Sequence, residues 1–271
     1  MGTLLKMELL NCINRKQFKI VFIGLFAINT YAFIYTCFIV KGMGLSGLRS
    51  GYEMSILLHP YSQAILMTII FMLPMIANVI YSDSFITDIK SGTYIFITTR
   101  SSRTTYIISK GLAVIISTFV SFLIPLLFNI ILSNITFPSI NYETNGLPPY
   151  VIEYIPEELF NWLRIGNPFL FSMTSVTIIA LFASMYALLG YSISLNLRKN
   201  SLIPIAIVML AYLVIDIFVS LLPNGLKFQL TILPLPTSPA SPTYFFSAII
   251  LIFILSISLI LRYLLHSRNE L

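Results

Sequence analysis

Charge is what this 271-residue chain has least of: Asp, Glu, Lys and Arg make up 10% of it, against 57% hydrophobic residues. A soluble domain carries about 25% charged residues. A chain so poor in charge cannot clothe a water-facing surface, so its solvent is expected to be largely lipid. Cysteine and histidine are scarce too, two of each. Cys12 lies in a basic N-terminal segment and Cys37 in an apolar run, which argues against a disulfide and against a thiolate metal site. His59 and His266 are expected on opposite sides of the membrane and no H-E-x-x-H occurs, so a zinc or di-iron centre is not expected. No G-x-x-x-x-G-K-[ST] occurs either, so no cofactor or nucleotide is expected on this chain through a P-loop. The net charge is +6, but the basic residues are separated by apolar runs and form no continuous stripe, so nucleic acid is not expected as a partner. The first apolar run is too long for a signal h-region and no small-x-small cleavage site follows it, so no secretory signal is expected.

What the chain does have is long apolar runs. Residues 20–40, 64–81, 112–132, 169–195, 202–222 and 244–263 each approach or exceed the ~20 residues a helix needs to cross ~30 Å of hydrocarbon. The expected fold is an all-α membrane protein, a polytopic bundle of six transmembrane helices within residues 20–265. An outer-membrane barrel would show short alternating segments instead. Residues 1–19 are expected to form an interfacial elbow helix, with Leu5, Leu9, Cys12 and Ile13 on one side and Asn11, Asn14 and Arg15 roughly opposite. Lys16 would have to snorkel.

Lys and Arg placement sets the orientation. With the N-terminus inside, Lys6, Arg15, Lys16, Lys19, Lys90, Arg100, Arg103, Lys110, Arg198, Lys199, Arg262 and Arg268 fall on the inner side, leaving Lys41, Arg49, Arg164 and Lys227 outside. The positive-inside rule then puts both termini in the cytoplasm, including the tail 266–271, at a plasma membrane. The outer segment 137–168 also carries Glu143, Glu153, Glu157 and Glu158. Within it, Pro156–Leu163 reads as a short amphipathic helix with one Trp. The outer segment 223–243 is proline-rich, and its apolar part Leu226–Leu235 is too short to span, leaving a re-entrant piece or an ordered loop. Outside the first span, Gly42, Gly44, Gly47 and Gly51 predict tight turns. Gly44-Leu45-Ser46-Gly47 is similar to the G-x-S-G of rhomboid-family intramembrane proteases. That chemistry needs its serine and histidine on different spans, and here His59 lies in the same outer segment, so a turn is expected and not catalysis.

Within the spans, Pro74 and Pro125 each remove a helix donor and free a carbonyl one turn earlier, at Ile70 and Ser121. Ala180, Ala183, Ser184, Ala187 and Gly190 form a small-residue stripe suited to close helix packing in lipid. Asn29, Asn78, Asn129 and Asp216 are polar at membrane depth, which makes them candidates for a translocation pathway or for hydrogen-bonded helix contacts.

The stretch from Tyr81 to Lys110 is different: a charged, Ser/Thr-rich island between two apolar runs. Asp83 and Asp88 sit where the second span would leave the bilayer, Gly92 is suited to end a helix, and Ser102 or Thr104 to cap the returning one. The pattern Asp88-x-Lys90-Ser91-Gly92-Thr93, an apolar patch Tyr94–Ile97, then Ser102-Arg103-x-x-Tyr106-x-x-x-Lys110 resembles the loop after the second span of ABC-2 type permeases, the membrane subunits of ATP-binding-cassette exporters. Arg100–Ser102 lacks the proline common in that loop. The resemblance implies that residues 82–110 form a cytoplasmic coupling loop, with Asp83, Asp88, Lys90, Gly92, Thr93, Arg100, Arg103 and Lys110 serving contact with two cytoplasmic ABC ATPase subunits. ATP and Mg would sit on those partners, a second permease copy or paralogue would complete the pore, and a hydrophobic or amphipathic peptide, drug or lipid would be exported. A secondary transporter would instead need ionisable residues paired near mid-membrane. A membrane enzyme would need a clustered nucleophile or metal-binding acids, and a non-transporting anchor or sensor subunit would need neither.

Overall fold

A computed structural model describes residues 1–44, 48–138, 155–197 and 200–266. Among them the chain is helical, without strands. The elements are α1 (Gly2–Asn14), α2 (Lys16–Val40), α3 (Pro60–Phe71), α4 (Leu73–Tyr81), α5 (Ser84–Lys90), α6 (Thr93–Arg100), α7 (Arg103–Thr136), α8 (Asn161–Gly166), α9 (Pro168–Asn196), α10 (Leu202–Ser220) and α11 (Pro242–His266). Five of these, α2, α7, α9, α10 and α11, are long and apolar enough to cross a membrane. The outward faces of α2, α10 and α11 carry exposed large apolar side chains, among them Ile23, Phe38, Leu210, Phe218, Leu251 and Ile254. Continuous apolar surface of this kind marks a protein solvated by lipid.

The expected second span is not one straight helix. It is α3 and the segment from Leu73 to Lys90, bent by 55° at Met72. Proline chemistry accounts for the break. Pro74 has no N–H to give the carbonyl of Ile70, and that carbonyl accepts a hydrogen bond from the Tyr212 hydroxyl of α10 instead, at 3.3 Å. Pro125 does not break its helix: α7 runs through it for 34 residues.

The hub is α9, packed against α7, α11, α4, α10 and α8. Its small-residue stripe Ala180, Ala183, Ser184, Ala187 and Gly190 is buried, as the spacing predicts. At Gly190 the close approach is extreme. A Cβ there would lie 1.6 Å from Oδ1 of Asn78, so the α4 carboxamide occupies the space a side chain would need.

At the end of the bundle carrying α8, three stretches outside the α-helices bury side chains: residues 50–59 almost throughout, and 156–160 and 226–235 at Leu159, Leu233 and Leu235. Residues 50–59 are almost wholly buried although they form turns, not helix. Gly51 donates its N–H to the Pro138 carbonyl at 2.8 Å, and a Cβ on it would meet the α7 backbone at Asn134 at 2.8 Å. The amphipathic helix expected at Pro156–Leu163 begins later, at Asn161: residues 156–160 are turns, and Phe160 enters the left-handed region at φ 60° immediately before the helix. Trp162 stands exposed on it. The stretch Leu226–Leu235 is a 3-10 turn at Gly225–Phe228 followed by turns that bury Leu233 and Leu235, so it is an ordered loop. Glu143, Glu153, Leu45–Gly47, Arg198, Lys199 and Arg268 lie outside the described residues, as does the His266 side chain.

Candidate functional site

The island between the apolar runs folds as a helical hairpin. Gly92, at φ 75°, turns the chain from α5 into α6 in a conformation L-residues rarely adopt. The Ser102 side chain accepts from the Thr105 N–H at 3.3 Å and caps α7. Between these points α6 has no buried residue, and Ile95 and Phe96 are exposed apolar side chains on it. Lys90, Thr93 and Arg100 are exposed as well. Beside this face a groove of about 620 Å³ runs between α1 and α6, lined by Met1, Leu4, Met7, Phe96, Ile97 and Arg100 among others.

The remaining predicted residues form the hairpin's base. Lys110 is fully buried in α7, pairs with Asp88 of α5, and lies 3.4 Å from Oε2 of Glu8 in α1. It also donates to the Tyr106 hydroxyl at 2.9 Å, and that hydroxyl donates to Asp88 at 2.5 Å. The Tyr81 hydroxyl donates to Glu8 at 2.7 Å. Next to this cluster, Arg15 at the junction of α1 and α2 donates to Asp83 at 2.7 Å and to Thr87 at 3.0 Å. Arg103 donates to the Tyr263 hydroxyl at 2.6 Å and lies 4.9 Å from the centre of that ring. The structure therefore brings Asp83, Asp88 and Lys110 together inside, and leaves Lys90, Gly92, Thr93 and Arg100 on the hairpin's surface.

Glu8 and Arg15 were not among the sequence candidates. Glu8 had a signal: it lies three residues after Leu5 and four before Cys12, on the face assigned as apolar. A lone acid there needs a buried cation. Ile13, expected on that face, is exposed instead. Cys12 packs on the same face, where burial pushes its thiol up to about 11, so it stays protonated near neutral pH.

The four polar residues expected at membrane depth are engaged within the chain. Asn29 donates to the Leu25 carbonyl at 2.8 Å and Asn78 to the Pro74 carbonyl at 2.7 Å. Asn129 ties three segments: it donates to the Asn29 carbonyl at 2.8 Å and accepts from the Ile56 N–H at 2.9 Å. Asp216 accepts from the N–H groups of Leu230 and Thr231 at 2.6 and 3.2 Å, which pins the following loop to α10.

At the α8 end a second ion cluster was also missed. Arg164 grips Glu53 with two donors, Nε at 2.8 Å and Nη2 at 2.5 Å. Glu158 lies 3.8 Å from Arg164 and accepts from Asn161 at 2.6 Å. His59 is buried nearby in the chain, where burial and the Arg49 charge push its imidazole below the usual range.

Comparison with models of known protein families, with curated proteins and with solved structures finds no match for this chain.

Proposed function

We propose that this chain is the permease subunit of an ABC-2 type exporter, with the α5–α6 hairpin as the surface on which a cytoplasmic ATPase subunit pushes. The carrying observation is the hairpin's construction: an exposed face with Ile95, Phe96 and Arg100, standing on a buried ion-paired base that joins α1, α5 and α7. A surface meant to transmit force needs that pairing of an exposed contact and a stiff foundation. In this reading α3 and the bent segment after it make a sixth span, α1 is the elbow, and both termini are cytoplasmic at the plasma membrane. Two ATPase subunits carrying ATP and Mg bind two permease chains, and closure of the ATPases tilts α4 and α7 so that a cavity opens for an apolar or amphipathic cargo. The chain itself carries out no covalent chemistry.

Two measurements test this. A P-loop ATPase should copurify stoichiometrically with the chain and be lost on Phe96→Asp or on reversing the charges of Arg100 and Arg103. Cysteines placed at Thr93 or Thr99 should react with impermeant maleimide only from the cytoplasmic side. Labelling from outside, or cargo movement by the purified chain alone, overturns the reading.

A further inference from the structure

Lys110 is a buried cation with two carboxylates in reach, on two different helices. Its Nζ pairs with Asp88 of α5 and lies 3.4 Å from Oε2 of Glu8 in α1. The two acids stand differently. Asp88 is 21% exposed and accepts from the Tyr106 hydroxyl at 2.5 Å, so it keeps partners if the ammonium leaves. Glu8 is 1% exposed. Its Oε2 accepts from the Tyr81 hydroxyl at 2.7 Å, while no donor among the described residues reaches its Oε1. A buried carboxylate oxygen without a donor carries the cost of its lost hydration. The ammonium therefore has one filled station and one half-open. Asp83 is not a third, because two donors of Arg15 already serve it, at 2.7 and 3.4 Å.

The way between the stations is short and lined for a cation. Nζ lies 4.8 Å from the ring centre of Tyr106 and 6.0 Å from that of Tyr81, both within cation–π range. Lysine suits such a place by its chemistry. Its ammonium is a compact charge on a flexible stem with rotatable donors, whereas the rigid fork of a guanidinium is committed to one partner geometry. An ammonium stranded at this depth is strongly destabilising. With Glu8 beside it, Lys110 leaves Asp88 without ever being stranded.

We propose that Lys110 is a transferable cation, which passes from Asp88 to Glu8 when α5 parts from α7. Displacement of the hairpin then reaches α1 as a tightened ion pair, with Glu8 as the receiving residue. The transfer is a property of this chain. Only its trigger, an ATPase subunit pushing on the hairpin, rests on the reading above.

The test uses the full chain in phospholipid vesicles, with isotope-labelled nitrogen at the lysine Nζ and isotope-labelled carbon at the glutamate carboxyl. Glu157→Gln removes the exposed pair with Lys227, the other lysine–glutamate pair among the described residues. Solid-state dipolar coupling between the labels then reports Lys110 against Glu8, and Glu8→Gln should abolish it. Asp88→Asn imitates the departure of Asp88. Nζ should close from 3.4 Å to the ~2.8 Å of a charge-assisted bond, and the coupling, which falls with the cube of distance, should rise about 1.5-fold or more. Tyr106→Phe keeps both charges and removes the hydroxyl that bridges Lys110 and Asp88. It should raise the coupling by a smaller amount, and it decides the matter if Asp88→Asn does not fold. A coupling that stays or falls in the deciding variant overturns the proposal. No ATPase takes part in this measurement, so its failure and the failure of copurification are separate results.

Discussion

The two buried ion clusters sit at opposite ends of the bundle and are built to different standards. At the α8 end, Glu53 meets Arg164 with both oxygens in a two-donor grip. At the hairpin end, Glu8, Asp83 and Asp88 have Lys110 and Arg15 as their cations among the described residues, and Oε1 of the buried Glu8 accepts no hydrogen bond from them. Bidentate pairing repays much of the desolvation of its charges, whereas an unmatched buried oxygen keeps its full cost. One end is therefore clamped shut by matched partners. The other holds three helices together around a buried carboxylate oxygen that has no hydrogen bond, an arrangement with less to lose on rearrangement. That asymmetry suits a molecule worked from the hairpin end.

The comparison can be broken most forcefully at the clamp. Arg164→Met leaves Glu53 buried without its cation and should cost about 3–5 kcal/mol, read as a fall in the unfolding midpoint of the detergent-solubilised chain. Lys110→Met should cost less, about 2–3 kcal/mol, because Asp88 is 21% exposed and water can reach it. Adding Glu8→Gln to Lys110→Met should recover part of the loss, whereas Glu53→Gln added to Arg164→Met should recover more; a reversed order would remove the asymmetry. Between the ends, Gly190→Ala should cost about 1–3 kcal/mol by overpacking against Asn78, and Asn78→Ala should rescue it in the same assay. The smallest effect belongs to His59. Its folded pKa lies below the unfolded value of about 6.5, so the unfolded chain binds the proton more readily. Stability is then full above pH ~6.5 and declines as pH falls through and below that value. Denaturant titrations from pH 7.5 to 5 should show the slope, and His59→Phe should flatten it.

Local chemistry was legible in the sequence, and long-range pairing was not. The run 169–195 became α9 at Pro168–Asn196, Gly92 and Ser102 took their turn and cap positions, and the carbonyl freed by Pro74 was the one that needed a new donor. Each of these rests on residues within a turn or two of one another. The span expected at 112–132 lies inside a helix that runs from its expected Ser102 cap to Thr136: hydropathy stops at Lys110, whereas backbone hydrogen bonding continues, with buried acids pairing that charge. Glu53 finds Arg164 at a sequence separation of 111 residues, which no local pattern encodes. Asp216 reads as an isolated intramembrane acid until the chain folds back fourteen residues later to supply two N–H groups.

One further consequence follows from the length of α7. Its 34 residues extend about 51 Å at 1.5 Å per residue, well beyond the ~30 Å of hydrocarbon. The surplus puts Lys110 near one tip and Asn129, with its hold on Ile56, toward the other. A stiff rod pivoting near its middle is a see-saw: a tilt of about 10° swings each tip about 4 Å, in opposite senses. A nudge beside Lys110 would thus arrive as a tug on residues 50–59, with no rearrangement needed in between.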